Sequence, residues 1–319
     1  MPPPPTAPLT GLPDPQGVAL GRSALAVKIE NTPEARPQSG LDAADVVYEE
    51  VVEYGITRFW AIFNSGAPAQ VGPIRSVRQM DPDVVSATGG VVAYSGGTQP
   101  NVDLIRAAPV TWIDENNANN GAGQRSCEVD AAATYCREAK KAAPHNLYGR
   151  TAALWQRGGK PVPPPALFTY LRPGHVFTGD PVAQFHLNFE HGYDVTYQWD
   201  APSNGWKQFQ HIAPFVSDTG TQIAPTNVVV LFVTYNGAGE GQLIGQGDAW
   251  VFANGQVVRG HWAKATPTQV TTYTDAKGAP IALPPGHTWV ELYPAAFGST
   301  VDITAPPGAP ATTTTTKKR

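Results

Sequence analysis

The segment "VGPIRSVRQMDPDVV", residues 71 to 85, sets Arg75 and Arg78 on either side of Ser76 and Val77. Arginine presents a planar fork of N–H donors that meets carboxylates and phosphates in two-pronged contacts. Arg36 and Arg58 fall in neighbouring motifs, as do the carboxylates Asp45, Glu49, Glu50 and Glu53. Residues 1–150 hold nine Arg and three Lys against sixteen Asp and Glu, so arginine is favoured over lysine in a region that is acidic overall. Two chemistries are open. In one, the arginines hold the fold through carboxylates inside the chain, which fixes geometry more than it stabilises. In the other, Arg36, Arg58, Arg75 and Arg78 converge on an anion, with Ser76 and the backbone of Gly96 and Gly97 as further donors. If a reaction followed, Glu49, Asp45 or His145 would move protons. Asn146, beside His145, would help hold the anion, and a divalent cation could join through the carboxylates.

These residues need elements to place them. "ALAVKIEN" (24–31) alternates and reads as a strand, and "DVVYEEVVEYGITRFWAIFN" (45–64) reads as two strands joined at Tyr54 and Gly55. Alternation puts Val47, Glu49, Val51 and Glu53 on one face and Tyr48, Glu50 and Val52 on the other. Glu49 and Glu53 would then stand about 13 Å apart, at ~3.3 Å per residue. Arg58, on the second strand, falls within reach of Glu53 or Glu50. A helix is expected over 81–90, begun by Asp81 and Pro82, then a buried strand over 91–97 whose closing glycines suit a ligand crevice. Residues 99–108, 130–143 and 148–159 read as helices. The sum is an N-terminal α/β domain with a mixed sheet, residues 21–160.

The texture changes at "GGKPVPPPALF". Strands follow within 182–200, turning at His191 and Gly192, and at 226–236, 249–264 and 286–294, the third with an Asn-Gly hairpin turn. These predict a smaller antiparallel all-β domain, 161–304, and an α+β chain overall. The proline-rich head, 1–20, reads as a spacer and the Pro/Thr-rich end, 305–319, as a disordered tail.

With 319 residues, 41% hydrophobic and 15% charged, the chain can bury a large core. A net charge of -4 and a pI near 6.0 argue against a nucleic-acid partner. No apolar run is long enough to span a membrane. GxSxG, P-loop, HExxH and CxxC motifs are absent. Cys127 and Cys136 would form a disulfide in an exported protein, or remain buried thiols otherwise. His186, Asn188 and Glu190 share a strand face, but their spacing is too unspecific for a metal site to be assigned. Trp199, Trp206, Trp250, Trp262 and Trp289 could stack on sugars, although core packing accounts for them more simply.

"LTGLP", "ARPQSGLDAADVVYEEVVEYGITRFWAIF", "GPIRSVR", "YSGGTQP" and "PHNLY", followed by "NVVVLFVTYN", "GQGDAWVFANGQVVRGHWAK" and "IALPPGHTWVELYP", resemble the bacterial family of YerB-like lipoproteins over roughly residues 9 to 294. The resemblance implies a two-part domain and export to the outer face of the cytoplasmic membrane, peripheral to it through a lipid anchor; the signal or lipobox that this requires is not in this chain. It implies no activity. An anionic wall-related molecule or polymer is the ligand expected for the arginines. A scaffold that binds a protein or glycan without catalysis is the alternative. Convergence of Glu49, Arg75 and His145 on one cleft would favour the first.

Overall fold

The computed structural model describes residues 4–118, 125–189, 193–236, 240–295 and 301–308. At its centre are β1 (Leu25–Glu30), β2 (Val46–Val51) and β3 (Thr57–Phe63), buried almost throughout. Both faces are covered, which is why these strands read as dense apolar runs. β3 lies between β1 and β2, antiparallel to both, and Glu30, Arg58 and Glu50 stand in one row across the three.

Beyond β1, Val91–Ala93 and Thr111–Ile113 add in parallel. Beyond β2, Thr288–Pro294 and then Asn227–Val233 also add in parallel, followed by the antiparallel hairpin of Gly245–Ala253 and Gln256–Lys264. The hairpin turns at Asn254 and Gly255, both with positive φ, as the Asn-Gly pair predicts. One eleven-stranded mixed sheet therefore continues from the N-terminal half into the C-terminal half. The expectation of purely antiparallel C-terminal strands is corrected here. "NVVVLFV" is apolar at nearly every position because it lies between a parallel and an antiparallel neighbour, inside the sheet.

A five-stranded antiparallel sheet, built from 184–188, 194–200, 205–210, 213–214 and 301–304, covers one face. Phe185 stacks on Phe252 there at 3.7 Å, and Phe59 meets Trp289 edge-on at 5.4 Å. The helices Asp81–Val85 and Gln99–Ala107 cover the other face through Val84, Val85, Val102 and Ile105. Trp206, Trp262 and Trp289 are buried and Trp199 and Trp250 half-buried, so the tryptophans pack rather than form a platform.

Three local expectations change. The proline-rich head packs into the molecule from residue 7: Ala7, Leu9, Thr10 and Ala19 are buried, and Gly286 N donates to Thr10 O at 2.8 Å. Proline breaks helices and sheets but leaves its carbonyls free to accept, and the head is tied down through turns. Residues 130–143 form turns and the strand Tyr135–Arg137, not a helix, because the Cys127–Cys136 disulfide closes that loop. The strand after Asp81–Val85 ends at Ala93, earlier than expected. Glu190, the His191–Gly192 turn and residues 309–319 lie outside the described residues. His186 Nδ1 meets Thr196 Oγ1 at 2.9 Å, and the described residues contain no cluster of three metal-ligating side chains. No helix among them is long and apolar enough to cross a membrane.

Candidate functional site

β1 ends in Glu30, whose side chain is 1% exposed. A buried carboxylate requires partners, and two of the residues singled out above provide them. Arg75 Nε lies 3.2 Å from Glu30 Oε1 and His145 Nδ1 lies 2.9 Å from Oε2. The backbone enforces the first contact: Glu30 N donates to Pro73 O and Arg75 N to Lys28 O, which lays residues 73–75 along the end of β1. Arg58 joins from the next strand as the cross-strand neighbour of Glu30, and its Nη1 donates to Ser76 O at 2.9 Å. Arg78 donates to Val77 O at 2.9 Å and reaches Glu53 Oε2 at 2.6 Å.

Arg58, Arg75 and Arg78 thus crowd one corner of the sheet. Burial lowers the Arg58 guanidinium to about 10, and the positive fields of Arg78 and Arg75 add to this. Arg58 still carries its charge near neutrality. Set against the three arginines are Glu30, Glu53 and, in register beside Arg58, Glu50, which also serves Lys28. Among the described residues Arg75 engages protein through Nε alone, and its side chain is 23% exposed. At this rim Arg58 is buried and Arg75 and Arg78 are partly exposed; cavities of about 700 Å³ beside Lys264 and about 350 Å³ beside His287 are lined by none of these arginines.

The glycine loop lies beside the rim, with the Gly96 carbonyl accepting rather than an amide donating. Ser95 N donates to Arg75 O and Val77 N to Gly96 O, so the carboxyl end of 91–93 runs beside residues 75–77. A Cβ on Gly97 would stand 3.0 Å from Val77 Cγ2, which explains a glycine at this approach. Ser76 contributes its carbonyl to Arg58 and, at 3.4 Å, to Arg78, a role different from the donor expected of it.

Beneath the rim, Lys28 Nζ contacts Glu50 and lies 2.8 Å from Asp81, and its ammonium sits over the Trp60 ring at 4.8 Å. Asp81 also accepts from the Trp60 indole at 2.8 Å and from Arg78 N at 2.6 Å. The buried ions therefore anchor the "RSVRQMD" backbone on which the rim is built. Burial and the Asp81 charge push Glu50 up to about 8, with Lys28 acting against them.

Four expected members stand elsewhere. Glu49 faces the opposite side of the sheet, fully buried, in cross-strand register with Glu291. It accepts from Asn31 Nδ2 at 3.4 Å, and burial pushes it up to about 7; Glu291, which accepts from Tyr197, is raised further. Arg36 is on that side as well, donating from Nε and Nη2 to Asn31 at 3.1 and 2.9 Å. Asp45 sits at the other end of β2, accepting from Asn64 N and from Ser65 N and Oγ, so it closes a turn. Asn146 accepts from Arg137 and donates to Glu138 O, a structural link next to His145. The shared face of Glu49 and Glu53 also fails. β2 stops at Val51, and Val52 N donates to Ile56 O, closing a turn that delivers Glu53 to Arg78. Glu30 and Lys28 were not singled out in the sequence. Their signal was two charges inside "LAVKIE", on one face by alternation, in a strand otherwise wholly apolar.

A mixed sheet extended by an antiparallel layer, with a basic rim at the end of its first strand, defines a two-part class. Residues 9–161 match "Protein of unknown function (DUF3048) N-terminal domain" and residues 185–290 match its C-terminal domain, and the chain belongs to this family. It is 27% identical over 306 residues to "Putative lipoprotein YerB" of Bacillus subtilis (strain 168), over 90% of this chain and 86% of that protein. The crystal structure of YerB from Bacillus subtilis has the same fold, with a TM-score of 0.78 at 22% identity over 93% of this chain and 99% of that one.

Proposed function

We propose that the rim of Arg58, Arg75 and Arg78 binds a phosphoryl-type anion belonging to the cell envelope, a wall-related small molecule or polymer. The carrying observation is the crowding of three guanidiniums at this corner, with Arg58 lowered partly by the positive fields of Arg78 and Arg75. A bound anion would relieve that repulsion and take donors that the protein leaves open. Charge-assisted hydrogen bonds of this kind are worth about 1.5 to 3 kcal/mol each. His145 and the Gly96–Gly97 backbone border the same corner, while Glu49 and Asp45 are too far away to move its protons. The reading is therefore binding, and no reaction is assigned. Placement outside the cytoplasmic membrane rests on the relative's printed name and on the Cys127–Cys136 disulfide, which fits an oxidising compartment.

Thermal melts of the full chain with pyrophosphate and with glucose 1-phosphate, each with and without Mg²⁺, test the reading. A ligand at about 100 times its Kd adds about 2.7 kcal/mol, a rise of roughly 5 °C. The rise should vanish in Arg75→Ala, whose unliganded stability falls by about 1 to 3 kcal/mol because the buried Glu30 carboxylate loses an ion-pair partner. A rise only with Mg²⁺ would bring a divalent cation into the site. No rise with any of these anions, or an equal rise in Arg75→Ala, refutes the anion site.

A further inference from the structure

Tyr54 is the one aromatic side chain among the described residues that stands in solvent, 88% exposed. Its backbone is left-handed, at φ 62 and ψ 23, a conformation that disfavours any bulky residue and that Gly or Asn would take at little cost. The ring contributes nothing to the core, and the turn it occupies would form more readily without it. Nothing in the packing accounts for a tyrosine here.

Its position does. Glu53, the residue before it, holds Arg78 through Oε2, and the turn is closed by Val52 N to Ile56 O and Ile56 N to Glu53 O. The strained aromatic therefore follows directly on the residue that holds Arg78. We infer that Tyr54 is a stacking platform for the sugar ring of a glycosyl phosphate whose phosphate is held by Arg58, Arg75 and Arg78; this rests on the anion reading above. The apolar face of a pyranose packs on an aromatic ring, and the phenol keeps its hydroxyl in water. Glu53 adds the sugar-specific element. It is half-exposed, and with Oε2 engaged by Arg78 its second oxygen is an acceptor for ring hydroxyls. A nucleobase would also stack, but a pyranose carries hydroxyl donors around the stacked ring itself, which suits a carboxylate acceptor beside the platform.

Calorimetric titration of the full chain and of Tyr54→Gly with inorganic phosphate, glucose 1-phosphate and AMP decides it. The parent should bind glucose 1-phosphate about tenfold more tightly than phosphate, in line with the affinity of one stacked ring. Tyr54→Gly should melt at a higher temperature, freed of its backbone strain, yet bind both with the affinity of phosphate alone. Equal affinities of the parent for phosphate and glucose 1-phosphate would overturn the platform and leave the anion site standing. A preference for AMP over glucose 1-phosphate would overturn the sugar assignment. Loss of phosphate binding itself in the parent would refute the anion site and this inference with it.

Discussion

Glu49 and Glu291 face each other across parallel strands with no exposure to water, and this pair predicts how stability depends on pH. Burial raises Glu49 from 4.5 to about 7. An unfolded Glu49 releases its proton near 4.5, whereas the folded one keeps it until about 7. Between those values the native state binds more protons, so stability falls as pH rises, and the loss is complete above about 7. Two and a half decades of proton affinity, at about 1.4 kcal/mol each, come to about 3.5 kcal/mol. Glu49→Gln keeps the shape and the bond with Asn31 but has no proton to lose. Urea unfolding of parent and variant at half-unit steps from pH 4.5 to 8.5 reads the difference. The variant should match the parent near pH 4.5 and exceed it by about 3.5 kcal/mol at pH 8. Glu50 adds the same slope to both proteins and cancels; Glu291 is raised in part by the Glu49 charge, so its own titration moves in the variant and the difference reads the pair. A constant separation across the whole range would refute the argument, because Glu49 would then titrate alike in both states.

Two further substitutions probe the ions and the covalent tie. Lys28→Met leaves Glu50 and Asp81 facing each other without their shared cation, and should cost about 3 to 5 kcal/mol by urea unfolding; a loss under about 1 kcal/mol would mean the carboxylates are not held by it. Removing the Cys127–Cys136 link, which spans nine residues, by Cys127→Ser with Cys136→Ser should cost about 2 to 3 kcal/mol, measured against the parent under the same non-reducing conditions.

Much of the central sheet was legible because its strands are dense in Val, Ile, Phe and Trp. Both strands of 45–64, the Asn-Gly hairpin and the strand near 227 follow from local pattern. The joining of the halves did not. Pairing of β2 with Thr288–Pro294 links residues some 240 positions apart, and an apolar run does not say which apolar run lies beside it. The helix expected at 130–143 failed for a different reason: alanine-rich composition favours helix only weakly, and a short disulfide loop overrides it. At the candidate site, Arg58, Arg75, His145 and the glycine loop were found from residue type. Their common partner was missed because Glu30 sits in an apolar strand, where a charge reads as an exception and not as an anchor.

The sorting of the charged residues follows from strand period alone. Glu30 and Asn31 are adjacent, so they leave β1 on opposite faces: Glu30 meets Arg75 and His145, while Asn31 meets Arg36 and Glu49. Four arginines that look like one cluster in the sequence are split three to one by this alternation. The split also protects the pairing of β1 with β3. A slip of one residue would turn Glu30 and Lys28 toward the face that carries Val27, Ile29 and Phe59, and would turn those apolar side chains onto the ions. Lys28 and Glu30 would lose their partners at once. The ions thus contribute less to the depth of the native well than to its uniqueness. The arrangement that keeps β1 in register is the same one that gathers three guanidiniums at a single corner.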